Sequence, residues 1–490
     1  MPKRADGPVA RDAVPEIAPT AAGPPTGGLK RSLVYFATIA AGQGLAFLLL
    51  PVVSRALSPE AYGAYSLSLA VSTLIGMIAS SWVRNVALRL YFDAATRGTT
   101  RGFFLGTALL QALGFAVLYG LTLTVLAILG YELAPLRVML SAGAAILAGD
   151  LAVHATTLLR AEQRSSSFAI AEIGGGALRF LLTLGGIALG WRSAELLFDA
   201  SAAGYLIAAG YAVPTLWRRL SGPLGVDVAG TLEVLRHGPA ALPFSLGNWL
   251  ERLADRLVVE YYLGTAVQGI YSIGYTLGER TMGTLINAVF MMAWPEILTA
   301  WKEGSTARAR AALSEALVLY AWFSFGPVVF LIAYGADLHR WMMGAAFHDG
   351  APLVGIVAAS MWIGGFTSYL NRHLELGKRF STLSAITLAG ATVNVALNLW
   401  LVPRYGMMGA AWATAVNRVF NAVVFFAIRD RSLVAIPLRT MGSAAALATA
   451  VWWVSARLPV APTYQMLAYV ALYAPLALIL LVRRRRTTRA

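Results

Sequence analysis

Apolar runs of about 20 residues follow one another along almost the whole of this 490-residue chain. A helix needs about 20 apolar residues to cross a bilayer core about 30 Å thick. Hydrophobic residues make up 58% of the chain and charged residues only 13%, whereas soluble domains contain about 25% charged residues. A soluble fold is therefore excluded, and we predict an all-α polytopic membrane protein with about 14 transmembrane helices. The predicted helices occupy 33–53, 63–85, 103–129, 134–158, 168–190, 195–216, 240–262, 268–293, 313–334, 352–371, 382–402, 408–428, 436–456 and 464–482.

The positions of the lysines and arginines predict the orientation of these helices. With the N-terminus inside, we assign 26 of the 39 basic residues to inside segments and their borders and 6 to outside loops, and 7 remain in or beside the predicted helices. Basic residues accumulate in cytoplasmic loops. We therefore expect a multi-pass membrane protein with both termini in the cytoplasm. Because the net charge of +15 follows from this topology, no nucleic-acid partner is expected.

The two ends of the chain differ from the apolar middle. Residues 1–31 are rich in proline, alanine and glycine and lack the apolar stretch of a signal peptide. They predict a disordered cytoplasmic tail. Residues 483–490 begin with four arginines and predict a basic cytoplasmic tail in contact with anionic lipids.

A short internal repeat divides the helical region. The segment LSPEAYGAYS (57–66) aligns with LGTAVQGIYS (263–272), with Leu, Gly, Tyr and Ser in common. Each copy joins the first two helices of a six-helix block, so the two halves would enter the membrane from the same side and be related by an axis along its normal. The expected regions are an N-lobe at 32–217, a cytoplasmic linker at 218–239, a C-lobe at 240–430 and two extra C-terminal helices at 431–482.

Two stretches carry a family resemblance. The run LLLPVVSRALSPEAYGAYSLSLAV (48–71) and the segment ADRLVVEYYLGTAVQGIYSIGYTLGERT (254–281) resemble bacterial polysaccharide-biosynthesis membrane proteins. These are the lipid-linked oligosaccharide flippases of the multidrug/oligosaccharidyl-lipid/polysaccharide exporter superfamily, and the likeness favours their O-antigen and exopolysaccharide branch. The resemblance implies a location in the bacterial cytoplasmic (inner) membrane and two six-helix lobes around a central cavity that opens alternately to either side.

Seven basic residues remain once the loops are assigned, and an unpaired charge inside the membrane is costly. Arg84 and Arg372 are close enough to helix ends to reach the aqueous interface. The deeper five are candidates for binding an anionic substrate: Arg179, Arg252, Arg256, Arg280 and Arg418.

Acidic residues accompany these arginines and are candidates for ion pairing or for coupling to an ion. In the predicted helix 240–262, Glu251 and Asp255 are four residues apart, as are Arg252 and Arg256, so each pair shares a face. Glu279 precedes Arg280. Two interpretations stay open: ion pairs that join helices, or a helix that lines a polar transport cavity. Arg418 has no acidic residue on its own predicted helix. Its partner could be a transient anion, or it could be Asp199 or Glu260 from another helix.

These features favour a flippase that moves a lipid-linked, polyprenyl-diphosphate oligosaccharide to the outer leaflet, because arginines bind phosphate and amide or aromatic side chains contact sugars. Its partners would be the glycan substrate, membrane lipids and polysaccharide polymerase or glycosyltransferase proteins. The alternatives are a cation-coupled multidrug antiporter of the same superfamily and a membrane glycosyltransferase or polymerase. The chain has no cysteine and no Asp-x-Asp, Walker or HExxH motif, so we expect no enzyme activity, no metal and no cofactor.

Overall fold

The computed structural model describes residues 28–239 and 242–487, and within these ranges the regular structure is helical. The helices are α1 (Gly28–Ala56), α2 (Pro59–Thr96), α3 (Thr100–Ile128), α4 (Leu136–Ala161), α5 (Ser165–Ala188), α6 (Ala194–Trp217), α7 (Val228–His237), α8 (Leu242–Leu263), α9 (Thr265–Lys302), α10 (Thr306–Met342), α11 (Leu353–Leu376), α12 (Phe380–Ile428), α13 (Leu438–Ser455) and α14 (Pro462–Thr487). We call α1–α6 the N-half and α8–α12 the C-half.

Eleven helices in the described ranges are long and apolar enough to cross a membrane. This number is three fewer than the fourteen spans predicted, for two reasons. The helix α12 joins two predicted spans, and neither the highly charged α8 nor α13 is among the eleven. The prediction of an all-α polytopic membrane protein is confirmed, while the count of fourteen spans stays a prediction.

Several helices differ from the sequence predictions at their ends. Residues 28–31, expected in the N-terminal tail, belong to α1, and α14 continues through Thr487 into the predicted C-terminal tail. The rest of the two tails, 1–27 and 488–490, lies outside the described residues. The predicted linker 218–239 contains α7, which begins where the Asp227 carboxylate accepts a hydrogen bond from Gly230 N at 2.9 Å.

Two helices contain local irregularities. Residues Met77–Ser81 of α2 form a π-helical turn, a rare conformation that inserts into α-helices mostly as single turns. In α12, Gly406 has φ 60° and ψ −148°, a conformation that glycine adopts without a Cβ penalty. This break separates the two spans that the sequence predicts within α12.

The two copies of the repeat contact each other. The hydroxyls of Ser66 and Ser272, which are equivalent at the offset of 206, lie 2.8 Å apart. A Cβ added to Gly63 would lie 2.9 Å from the carbonyl carbon of Thr265, and one added to the equivalent Gly269 would lie 3.0 Å from the carbonyl carbon of Pro59. Such reciprocal contact between equivalent residues is what a twofold relation produces. The lobe boundaries themselves stay predictions.

The final two helices pack on α10. Tyr469 and Tyr473 of α14 donate hydrogen bonds to the carbonyls of Gly326 and Trp322, at 3.0 and 2.9 Å. A Cβ at Gly326 would overlap the ring of Tyr473, so α10 and α14 approach closely there. This packing places α14 beside the C-half.

Candidate functional site

A cavity of about 310 Å³ lies in the N-half, lined by residues of α1, α4, α5 and α6 and, from the C-half, by Arg280 of α9. It continues into a smaller space of about 90 Å³ lined by Tyr62 and Tyr65. Arg179 of α5 and Arg280 of α9 line both spaces. We call the two spaces together the central cavity. Two of the five predicted anion-binding arginines therefore share one cavity.

Close helix packing brings Arg179 to the cavity wall. A Cβ added to Gly175 of α5 would lie 2.6 Å from the carbonyl oxygen of Gly204 in α6, so both positions need glycine for α5 and α6 to approach. A Cβ at Gly204 would also lie 3.1 Å from Cβ of Arg179. The small residues thus leave room for the arginine between the two helices.

Neither Arg179 nor Arg280 has a carboxylate within 4 Å in the described part of the chain, although both are half-buried. Glu172 lines the same cavity, but its carboxylate accepts a hydrogen bond from the Thr156 hydroxyl at 3.2 Å. The cavity therefore holds two cations that no protein carboxylate neutralises at short range. This arrangement suits an anion.

The remaining charges of α8 lie in a separate polar network. Asp255, only 2% exposed, accepts hydrogen bonds from the Tyr271 hydroxyl at 2.5 Å and from Arg256 N at 2.9 Å. The Arg256 guanidinium lies 3.5 Å from the same carboxylate and 5.1 Å from the centre of the Tyr275 ring. Asp255 and Arg256 are thus an internal pair.

Arg418 has a partner that the sequence analysis did not identify. Its guanidinium lies 3.0 Å from Oε1 of Glu251. The same oxygen accepts hydrogen bonds from the amides of Asn417 and Asn421, at 2.9 and 2.8 Å. The sequence leaves open a transient anion, Asp199 or Glu260 as the partner, whereas in the structure α8 presents Glu251 to α12.

Arg252 is more exposed than expected for a deep residue. Its side chain is 67% exposed, and its guanidinium lies 3.9 Å from Glu279. An exposed ion pair at that distance contributes little. Glu279 directly precedes Arg280 in α9.

The two arginines assigned to helix ends also have partners that the sequence analysis missed. Arg84 forms an ion pair with Asp150, and Arg372 forms one with Glu375. The Arg372 guanidinium also lies 4.0 Å from the centre of the Phe290 ring. The three-residue spacing of Arg372 and Glu375 could have revealed their pairing, whereas the Arg84 partner lies two helices away.

An apolar groove of about 350 Å³ runs between α9, α10 and α14. Leu285 of α9 and Phe323 of α10 line it together with Leu478 of α14. It was not predicted, because its walls come from helices far apart in sequence. In the described ranges no group of three or more His, Cys, Asp or Glu residues could hold a metal ion.

Outside the predicted membrane spans, Asp227 has a clear electrostatic role. Partial burial alone would raise its pKa, but hydrogen bonds from Gly230 N and the Thr99 hydroxyl, together with the charge of Arg97, lower the pKa of Asp227 overall. The ionised carboxylate thus caps α7 and attaches it to the start of α3.

Comparisons with known proteins agree with this architecture. The chain is 21% identical over 410 residues to the probable low-salt glycan biosynthesis flippase of Haloferax volcanii, covering 81% of this chain and 82% of that protein. Its fold is similar to that of the lipid II flippase MurJ in an inward closed conformation, with a TM-score of 0.73 over 93% of this chain and 99% of MurJ at 13% identity. It also resembles an inward-facing multidrug resistance MATE family transporter of the MOP superfamily, with a TM-score of 0.60 over 85% of this chain and 99% of that structure at 14% identity.

The family assignment follows from a longer match. The sequence profile described as polysaccharide biosynthesis protein matches residues 52–352. This range covers more than half of the chain and includes both copies of the repeat. The chain is thus a multi-pass membrane protein whose fold is similar to that of MurJ, and it belongs to the polysaccharide biosynthesis protein family.

Proposed function

We propose that the protein is a flippase that moves a lipid-linked oligosaccharide, carried on a polyprenyl diphosphate, from the cytoplasmic to the outer leaflet for the synthesis of a cell-surface polysaccharide. The observation that carries this proposal is the pair of arginines, Arg179 and Arg280, that line the central cavity with no carboxylate of the described residues within 4 Å. A guanidinium donates two parallel hydrogen bonds to phosphate oxygens. Two guanidiniums in one cavity therefore match a diphosphate.

The surroundings of the two arginines fit the rest of such a substrate. Gln43, Ser201 and Tyr205 supply amide and hydroxyl groups on the cavity wall, which can bond to sugar hydroxyls. The apolar groove between α9, α10 and α14 includes Leu285, which follows Arg280 by little more than one helical turn. A polyprenyl chain in this groove could extend from a diphosphate bound at Arg280.

Alternating access would use the contact between the two repeat copies. The buried side chains of Leu57, Tyr62 and Phe347 pack together at the end of the central cavity nearest that contact. This packing therefore seals one end of the central cavity. Release of the substrate there requires α2 and α9 to separate, with the N-half and the C-half moving as two six-helix lobes.

We also infer the setting of this transport from the charge pattern of the loops. The partition of 26 inside and 6 outside basic residues supports cytoplasmic termini in a bacterial inner membrane. The enzymes that build and polymerise the glycan are then the expected partners on the two sides of the membrane.

A cation-coupled multidrug antiporter is the second candidate, because MATE transporters share the fold. The carboxylates that could couple transport to an ion are Glu251, Asp255 and Glu279. Each of them lies beside an arginine in the structure, at 3.0, 3.5 and 3.9 Å respectively, which favours a role as an ion-pair partner. The unpaired arginines of the central cavity also favour an anionic substrate over a cationic drug.

The test is transport in vesicles that contain only the purified protein and a labelled lipid-linked oligosaccharide. We expect transfer of the label between leaflets, and we expect Arg280→Ala to abolish it. Arg192→Ala, which removes an exposed arginine in the loop before α6, is the matched control and should transfer normally. Efflux of ethidium without transfer of the glycan lipid would instead identify an antiporter.

A further inference from the structure

A second cavity, of about 220 Å³, lies within the C-half between α8, α11 and α12. Nine of the twelve residues that line it are polar. The residues that matter for its chemistry are Glu251, Asn371, Arg372, Glu375, Arg418 and Asn421. We call this space the C-half cavity.

The charges of the C-half cavity balance each other, in contrast to those of the central cavity. Arg418 pairs with Glu251 at 3.0 Å, and Arg372 pairs with Glu375. An anion would have to compete with these carboxylates, and a cation with these guanidiniums. The cavity therefore suits a neutral polar ligand.

Polar atoms of both hydrogen-bonding types lack partners at this cavity. In the described part of the chain, the buried Oδ1 atoms of Asn371 and Asn421 accept no hydrogen bond, and the buried Nε of Arg418 donates none. Buried polar atoms are almost always paired in folded proteins. A hydroxyl group both donates and accepts, so a ligand with several hydroxyls could satisfy donors and acceptors together after small side-chain rotations.

A short series of neighbouring residues in α9 and α8 joins the walls of the two cavities. Arg280 lines the central cavity, and its neighbour Glu279 pairs with Arg252. Glu251, next to Arg252 in α8, lines the C-half cavity. Different parts of one extended headgroup could therefore occupy both spaces.

We propose that the C-half cavity binds a sugar unit of the lipid-linked substrate, with Glu251, Asn371 and Asn421 contacting its hydroxyls. This inference rests on the proposed function, because it assigns the diphosphate to the central cavity and the glycan to the C-half cavity. The C-half cavity would then distinguish glycosylated from bare carrier lipid.

The experiment compares the binding of two probes to the purified full-length protein in detergent. The probes are polyprenyl diphosphate without sugar and the glycosylated form extracted from cells that make the native polysaccharide. The wild-type protein should bind the glycosylated probe about tenfold more tightly or better, which corresponds to one or more hydrogen bonds. Asn371→Ala and Asn421→Ala, which keep the pair of Arg418 with Glu251, should remove this preference and leave the affinity for the bare lipid unchanged.

Two controls separate the possible outcomes. Asn85→Ala, at an exposed position of α2, should retain the preference, and Arg280→Ala should weaken the binding of both probes by the same factor. The sugar site is refuted if Asn371→Ala and Asn421→Ala, folded as judged by elution and melting, keep the preference or weaken the binding of both probes equally. Wild-type protein that binds neither probe would instead refute the proposed function.

Discussion

A methyl group added at Gly63 should alter the balance between the conformation in which α2 and α9 touch and the conformation in which they are separated. In the structure a Cβ at this position would lie 2.9 Å from the carbonyl carbon of Thr265 and closer still to its oxygen. The carbonyl carbon and oxygen of Thr265 are backbone atoms, so no side-chain rotation relieves this overlap. Overpacking typically costs about 1–3 kcal/mol. If Gly63→Ala affects only the state in which α2 and α9 touch, that state should lose population by roughly 5- to 150-fold relative to the separated state.

Thiol labelling measures this shift directly, because the chain contains no native cysteine. Ser272 is buried at the contact, so a Ser272→Cys thiol should react with a maleimide mainly when the two helices separate. In the Gly63→Ala background we expect the labelling rate of the Ser272→Cys thiol to rise by the same factor as the population of the separated state. Gly269→Ala should act in the same way, because its added Cβ would lie 3.0 Å from the carbonyl carbon of Pro59.

The control is Gly283→Ala in the same helix as Ser272, where an added Cβ meets nothing within 4 Å. Its labelling rate should stay at the level of the parent protein. An unchanged labelling rate in Gly63→Ala, together with an unchanged melting temperature, would show that the contact tolerates the methyl group. The proposed separation of α2 from α9 would then lose its structural basis.

Three further predictions concern the contact between α2 and α9, the cap of α7 and the membrane topology. Ser66→Cys combined with Ser272→Cys should form a disulfide on oxidation, because the two hydroxyls lie 2.8 Å apart, and transport should stop until a reductant is added. Asp227→Ala should destabilise the fold by about 0.5–2 kcal/mol at neutral pH through loss of the α7 cap. Because the folded state lowers the pKa of Asp227, the difference in melting temperature from wild type should shrink as pH falls below about 4. Ser58→Cys and Thr265→Cys should both react with an impermeant thiol reagent in intact cells, and reaction of only one would contradict the predicted topology.

The helices could be predicted from sequence because hydropathy is a local signal, but their lengths could not. α2 continues to Thr96 and α9 to Lys302, well beyond the predicted ends at 85 and 293. Apolar composition reports the thickness of the bilayer, whereas a helix can continue into water with polar residues. The start of α2 did carry a signal, because the Ser58 hydroxyl accepts a hydrogen bond from Ala61 N and Pro59 follows the cap.

The candidate site was only partly predictable for a different reason. The spacing of charges in α8 indicated that this helix does not face lipid, and the repeat alignment located residues that contact each other. The partners of individual charges depend on helices distant in sequence, as in the pair of Arg418 with Glu251. A single sequence contains no local signal for such a pair, so it could not show that Arg179 and Arg280 share one cavity while Arg418 lines another.

The affinity for polyprenyl diphosphate most directly tests whether the central cavity binds the diphosphate. A charge-assisted hydrogen bond contributes about 1.5–3 kcal/mol, so each arginine removed should weaken binding about tenfold or more. We expect the combined Arg179→Ala and Arg280→Ala variant to bind labelled polyprenyl diphosphate at least about 100-fold more weakly than wild type, and Arg192→Ala to bind it normally. Wild-type affinity in the folded double variant would contradict the assignment of the central cavity as the diphosphate site.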